Sequence, residues 1–402
     1  MNKKFSLGVC ISLIAIACAV TFVLTMNLSL NIYNEKVAGV EQREAIYTKL
    51  QDIDSYVRNN FLGSIDEEKL VAGIMNGYMA GIGDNKAKYI TAAEYRELEQ
   101  RISGRIVTAG IEAVRDESGY IIIKEVYEGS SAMLQGIEAD DIITQIDGVQ
   151  VLEIGAEEAI RRLNGEEGTR LIIRTQRDGE SRRVTLFRQS IELITVKGVN
   201  YEELGYIRIS GFAENTGDQF EAVLSRIIEN EAKGLIIDVR GTDGCLIAPL
   251  KQIFDKLLPR GVAAVGEYKN GNVNNIIEIG DDSYIHLPIT VITDSGTAEN
   301  GELLAAVLGD LASAQIVGVN TKGDAVFTVT HTLRDKSALI LSLMRVRSAG
   351  GTSFDGEGIK PDFIVEAATP PETNLEALEI TLDTQIRKAI EVTETRINNN
   401  NN

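Results

Sequence analysis

The side chains best placed to do chemistry lie in Thr293-Asp-Ser-Gly-Thr-Ala-Glu-Asn-Gly-Glu302. An apolar run, Leu287 to Ile292, enters this stretch, and Gly296 and Gly301 break it. Leu303, Leu304, Ala306, Val307 and Leu308 then repeat at helical spacing. The pattern predicts strand, tight turn and helix. Such a turn sets the free N–H groups of a helix N-terminus beside its own residues. Hydrolases use that arrangement to hold a nucleophile next to an oxyanion hole. Ser295 and Thr297 bring hydroxyls here, and Glu299 brings a carboxylate. Lys322 and Asp324 follow the helix. In a strand they would share a face, about 6.5 Å apart.

Other reactive side chains are sparse. Cys10 and Cys18 fall in an N-terminal apolar segment and Cys245 stands alone. That pattern predicts no disulfide within the soluble chain and no Cys/His metal cluster. His286 and His331 are isolated and read as structural. No metal and no cofactor is expected. A formal net charge of −19 argues against nucleic acid, whose phosphates need Lys and Arg partners, and against adsorption to anionic lipid.

Around the turn the sequence resembles the carboxyl-terminal processing proteases, serine peptidases with a Ser–Lys dyad and a PDZ domain. That family reads Gly-Ser-Ala-Ser-Ala-Ser-Glu there, with the middle serine as nucleophile. This chain reads Gly296-Thr-Ala-Glu-Asn-Gly-Glu302, so the resemblance puts Glu299 at the nucleophile position. The family's lysine lies in Thr-Phe-Gly-Lys-Gly, against Thr321-Lys-Gly-Asp-Ala325 here, so the base position is Asp324. The family's Asp-Leu-Arg-Asn-Asn-Pro-Gly-Gly matches at Asp238, Arg240 and Gly244, while Asp243 and Cys245 replace the Pro and second Gly. By resemblance, Gly244 and Asn300 are the oxyanion-turn positions. Gly358-Ile-Lys-Pro-Asp362 matches the family's late signature.

These matches sit in an expected order of elements. Met1–Lys4 is a basic cytoplasmic start, and residues 5–30 hold a transmembrane anchor, uncharged and apolar from Phe5 to Met26. A cleaved signal peptide is the rival reading. A helical segment follows at 31–102. Residues 103–190 resemble a PDZ domain, with a hairpin at Asp178-Gly179 and the marks Ser130-Ser-Ala132, Gly136-Ile137 and Ile146-Asp-Gly148. The resemblance makes Ala109, Gly110, Ile111 and Glu112 its peptide-binding loop. An α/β core spans 191–369. Residues 370–402 hold a last helix, Leu375 to Ile390, and an Asn tail expected to be disordered. The fold class is thus α+β and multidomain.

A Ser–Lys dyad works because a neutral amine takes the hydroxyl proton while backbone donors hold the oxyanion. Glu299 has no hydroxyl to activate. Its carboxylate would fill the hole, and Asp324 facing it would make a like-charge pair, of which one member must stay protonated, bind a cation or turn away. Lys322 is long enough to reach Glu299. The first expectation is a membrane-anchored, extracytoplasmic pseudoprotease that binds peptide or protein C-termini. The alternative is an active endopeptidase with a shifted dyad, Ser295 or Thr297 with Lys322. A structural subunit is the third. Oligomeric state is unread.

Overall fold

The computed structural model describes residues 7–280, 283–366 and 383–400, with side chains at 16–26, 29, 44–280, 283–366 and 383–399. The chain divides into two compact units, residues 1–74 and 75–402. The first is helical. Leu7–Asn60 is one helix, and Glu67–Gly81 begins within this unit. Arg58 links the two, donating to Asp54 and to Glu67. The expected membrane anchor finds no support here. Among the described residues, no helix is long and apolar enough to cross a membrane. Residues 5 and 6 of the expected span lie outside the described residues, as do the side chains of 7–15, 27, 28 and 30.

In the second unit, residues 105–192 build the PDZ-like domain. Its antiparallel sheet runs Ile111–Arg115, Ile121–Val126, Ile142–Ile146, Arg170–Arg177, Glu180–Phe187. Alternation decides which face is buried. Leu171, Ile173, Val184 and Leu186 are fully or nearly buried, while the residues between them face outward. The Asp178-Gly179 hairpin has both central residues at positive φ, +50° and +83°, which matches the twist of the flanking strands. Arg105–Thr108 and Gln189–Glu192 pair as the domain's entry and exit.

The core domain is organised by a six-stranded sheet. Its order is Val196–Tyr201, Leu204–Ile209, Gly234–Asp238, Ile289–Thr293, Gln315–Gly318, Phe363–Ile364. All neighbours are parallel except the first pair. Gly234–Asp238 and Ile289–Thr293 are buried at every position, as central parallel strands are. One face packs on the helices Thr216–Glu229, Ile247–Leu257 and Asn300–Ala312. The other takes Leu204, Tyr206, Ile236 and Ile292 against Ile386, Ala389 and Val392 of the C-terminal helix. Arg240, almost fully buried, ties that helix in by bonding Asp238, Asp383 and Gln385.

Several elements differ from the sequence reading. The last helix is Thr384–Asn400, so Asn398–Asn400 are helical rather than a loose tail. Leu375–Leu382 lie outside the described residues. Inside the expected helical segment, Lys88–Ile90 forms a strand on Ala338–Ser348. That strand belongs to a second, antiparallel sheet with Gly261–Tyr268, Val273–Ile279 and Val326–Thr332, and periodicity had not picked out the 261–279 hairpin. This pairing brings the stretch before Lys88 onto the core.

Candidate functional site

The turn at 294–299 is shaped by one carboxylate. Asp294 Oδ1 accepts from the N–H groups of Gly241, Gly296 and Thr297. The helix Asn300–Ala312 follows directly, and a Cβ on Gly301 would meet Thr242 Oγ1 at 2.3 Å. The helix N-terminus therefore lies tight against the 241–245 turn. Glu299 sits at the elbow with φ +49° and ψ −108°, a conformation that costs about 1–3 kcal/mol for a residue with a Cβ.

Glu299 points into the centre. Its Oε2 accepts from the Gly244 N–H at 2.8 Å, the donor expected for an oxyanion. The Asn300 N–H donates to the Gly244 carbonyl at 2.9 Å, so the second elbow donor is engaged as well. The hole is filled on one side and closed on the other. Glu302, fully buried, accepts from the N–H groups of Gly323 at 2.6 Å and Asp324 at 2.7 Å, and from the Thr321 hydroxyl. It also accepts from the Glu299 N–H at 3.2 Å. Glu302 thereby fixes the 321–324 segment, and with it Asp324, against the elbow.

Between the two carboxylates lies an ammonium. Lys86 Nζ is 2.5 Å from Glu299 Oε1, 2.6 Å from Asp324 Oδ1 and 2.7 Å from the Val326 carbonyl. All three side chains are at least four-fifths buried. Burial works against the ammonium, but Asp324 and Glu299 outweigh it and hold the Lys86 pKa above its ordinary value. An amine kept charged in this way cannot take a proton from a nucleophile. Lys86 lies on the turn after the helix Glu67–Gly81. Asp84 pins that turn, accepting from Ser342 N–H at 2.9 Å and from Ser342 Oγ. Sequence reasoning missed Lys86 and gave Glu302 no role. Glu302 matches the last residue of the family's turn motif, which is a usable signal. Nothing local to Gly83-Asp-Asn-Lys86 points to the site.

The remaining candidates are not brought together. Thr297 is fully buried, and its hydroxyl bonds the Val239 carbonyl and Asp294. Ser295 is exposed on the turn. Lys322 is long enough to reach Glu299, but its side chain is 59% exposed and lies 3.7 Å from Asp324, because Lys86 already occupies the centre. Lys322→Ala should therefore change unfolding free energy by no more than about 0.5 kcal/mol in urea titrations. Cys245 adds a thiol beside Glu299. Burial, reinforced by the Glu299 charge, pushes it up to about 12, so it stays protonated and a poor nucleophile.

In the PDZ-like domain, Ala109, Gly110 and Ile111 are buried and Glu112 is exposed. The Ala109 N–H donates to the Leu163 carbonyl at 3.0 Å and the Gly110 N–H to Thr108 Oγ1. Those two donors are thus engaged within the fold. Ile111 opens the strand Ile111–Arg115, an edge of the sheet, with the helix Ala156–Leu163 packed beside it.

Comparison with known proteins matches the two domains separately. Residues 203–365 match peptidase family S41 and residues 122–177 match the PDZ domain. The chain is similar to a probable CtpA-like serine protease of Staphylococcus aureus (strain N315), 24% identical over 352 residues, covering 86% of this chain and 70% of that protein. It is also similar to the carboxy-terminal processing protease CtpA of Bacillus subtilis (strain 168), 25% identical over 367 residues, covering 90% of this chain and 77% of that one. Among solved structures it is similar to a photosystem II D1 C-terminal processing protease, with 20% identity and a TM-score of 0.48, covering 79% of this chain and 86% of that chain. The chain belongs to the carboxyl-terminal processing protease family, with a PDZ domain ahead of its S41 peptidase core.

Proposed function

We propose that this chain is a non-catalytic member of its family that binds peptide or protein C-termini outside the cytoplasm, tethered by its N-terminal apolar stretch. The observation that carries the reading is the Lys86 ammonium shared by Glu299 and Asp324. It neutralises a pair of acids that could not otherwise be buried together, and it stands between the nucleophile and base positions, where the hydrogen bond of a dyad would run. The engaged donors of Gly244 and Asn300 support the same reading. Against a shifted dyad stand the buried, bonded hydroxyl of Thr297 and the outward-lying Lys322. Incubation of the wild-type protein with a denatured substrate should give no cleavage. Turnover that vanishes in Lys322→Ala and in either Ser295→Ala or Thr297→Ala would establish the rival endopeptidase.

The ligand end of the proposal rests on the open edge Ile111–Arg115 beside the helix Ala156–Leu163. Calorimetry should find weak binding of a peptide with an apolar, free C-terminus, and weaker binding of its amide. Equal affinity would remove carboxylate capture. The tether rests on the uncharged run from Phe5. It requires the full chain to stay with membranes in alkaline carbonate, and recovery in the supernatant would exclude it.

A further inference from the structure

The opposite edge of the PDZ sheet carries a basic strip, in a chain whose net charge is −19. Arg170–Arg177 is internal and Glu180–Phe187 is the edge. The Phe187 N–H turns away from its neighbour strand to Ser131 Oγ, at 2.9 Å. The Arg174 carbonyl likewise turns away from the edge strand, accepting from Thr144 Oγ1 at 3.2 Å. Both contacts fix the parity of the ladder. Arg174 and Arg183, directly opposite each other, form a non-hydrogen-bonded pair. Facing Cα atoms in such pairs approach to about 4.5 Å, the closest spacing a sheet offers. Like charges placed there are destabilising.

Arg170 shares this face, opposite Phe187, whose side chain is 53% exposed. Arg174 bonds Gln145 Oε1 at 3.2 Å. Among the described residues, neither Arg170 nor Arg183 has an ion-pair partner. The nearby acids are Asp147, which accepts from the Ile172 N–H, and Asp178 and Glu180 at the hairpin. The same parity turns the backbone groups of Ser181, Arg183 and Thr185 outward, where no further strand pairs with them among the described residues.

We propose that this edge takes an extended acidic segment of a partner protein as an added strand, its carboxylates facing Arg170, Arg174 and Arg183. Backbone pairing supplies the register, and the arginines select the charge. A second copy of the same edge is a poor occupant, since antiparallel pairing would set Arg182-Arg183 against its own equivalents. The site is separate from the Ile111–Arg115 edge and independent of the catalytic centre.

The test uses the full chain and a fluorescent peptide of alternating Glu and Val. Both peptide ends are blocked, so the C-terminus cannot engage elsewhere. Anisotropy should show binding that weakens with salt and falls at least about tenfold in Arg183→Glu. Thr185→Pro should abolish binding with the melting curve unchanged, because that N–H faces away from the neighbouring strand. If Thr185→Pro does not fold, an alternating Lys and Val peptide binding Arg183→Glu better than wild type serves as the charge-swap check. Wild-type affinity in a folded Thr185→Pro would overturn the added strand. No peptide binding at low salt would overturn the proposal, as would Arg183-dependent binding to phosphatidylserine vesicles in the peptide's place.

Discussion

Glu299→Ser combined with Asp324→Lys restores the family's dyad by residue type, yet the expected result is hydrolysis at least about 10²-fold slower than in an active relative assayed beside it. Loss of one oxyanion donor costs about 10²–10³ in turnover. Here the Asn300 N–H is bonded to the Gly244 carbonyl, so the hole stays closed after Glu299 is gone. The new lysine would also meet Lys86, whose Nζ already lies 2.6 Å from Asp324. Two ammonium groups repel and push the base off the serine. Initial rates on a denatured substrate measure this. Adding Lys86→Met should speed the double variant by removing that repulsion, without opening the hole. A double variant within tenfold of the relative would show that the 243–245 turn opens readily and that its closure is no barrier.

Lys86→Met should destabilise the second unit by about 2–4 kcal/mol at neutral pH, read as a lower midpoint in denaturant. Removing one partner of a largely buried ion pair leaves an uncompensated charge, which is costlier than losing the pair outright. Here two carboxylates would be left facing each other. The wild-type protein carries its own signature at high pH. Since the folded state raises the Lys86 pKa, its contribution is complete below the ordinary lysine value and is lost as pH rises through the raised one. Full stability of Lys86→Met at neutral pH would mean that water or a solvent cation replaces the ammonium at no cost. Lys86→Arg is the control, keeping the charge and recovering part of the loss.

What could be read from the sequence was local. The run Leu287–Ile292, two glycines and a helical repeat specify the elbow, since each signal lies within a few residues of the next. The acids at 299 and 324 were visible from the family motif, and so was their conflict, with a proton, a cation or a turned-away side chain as its possible resolutions. The identity of the cation was not visible. Lys86 is 213 residues from Glu299, and its approach depends on Lys88–Ile90 joining a sheet whose other strands begin at 261. The closed oxyanion turn was equally hidden. It turns on the direction of one peptide plane, at Gly244 with φ +108°, and composition does not encode it. In the PDZ-like domain, strands followed from alternation. Which loop N–H groups remain for a ligand followed only from the Leu163 and Thr108 contacts.

The three-way contact of Lys86, Glu299 and Asp324 bears on how this chain could change over generations. No single substitution leads back toward chemistry without a penalty. Serine at 299 alone leaves Lys86 paired with Asp324 and no free amine. Lysine at 324 alone sets two cations against one acid. Loss of Lys86 alone strands two anions in a nearly dry site. Each position is thus conditional on the other two, and an intermediate lineage would pass through a less stable protein. Mutual dependence of this kind acts as a ratchet. It lets drift proceed freely at the exposed Ser295, and nearly so at Lys322, whose largely exposed ammonium touches, among the described residues, only Asp324, while holding positions 86, 299 and 324 to a joint fate.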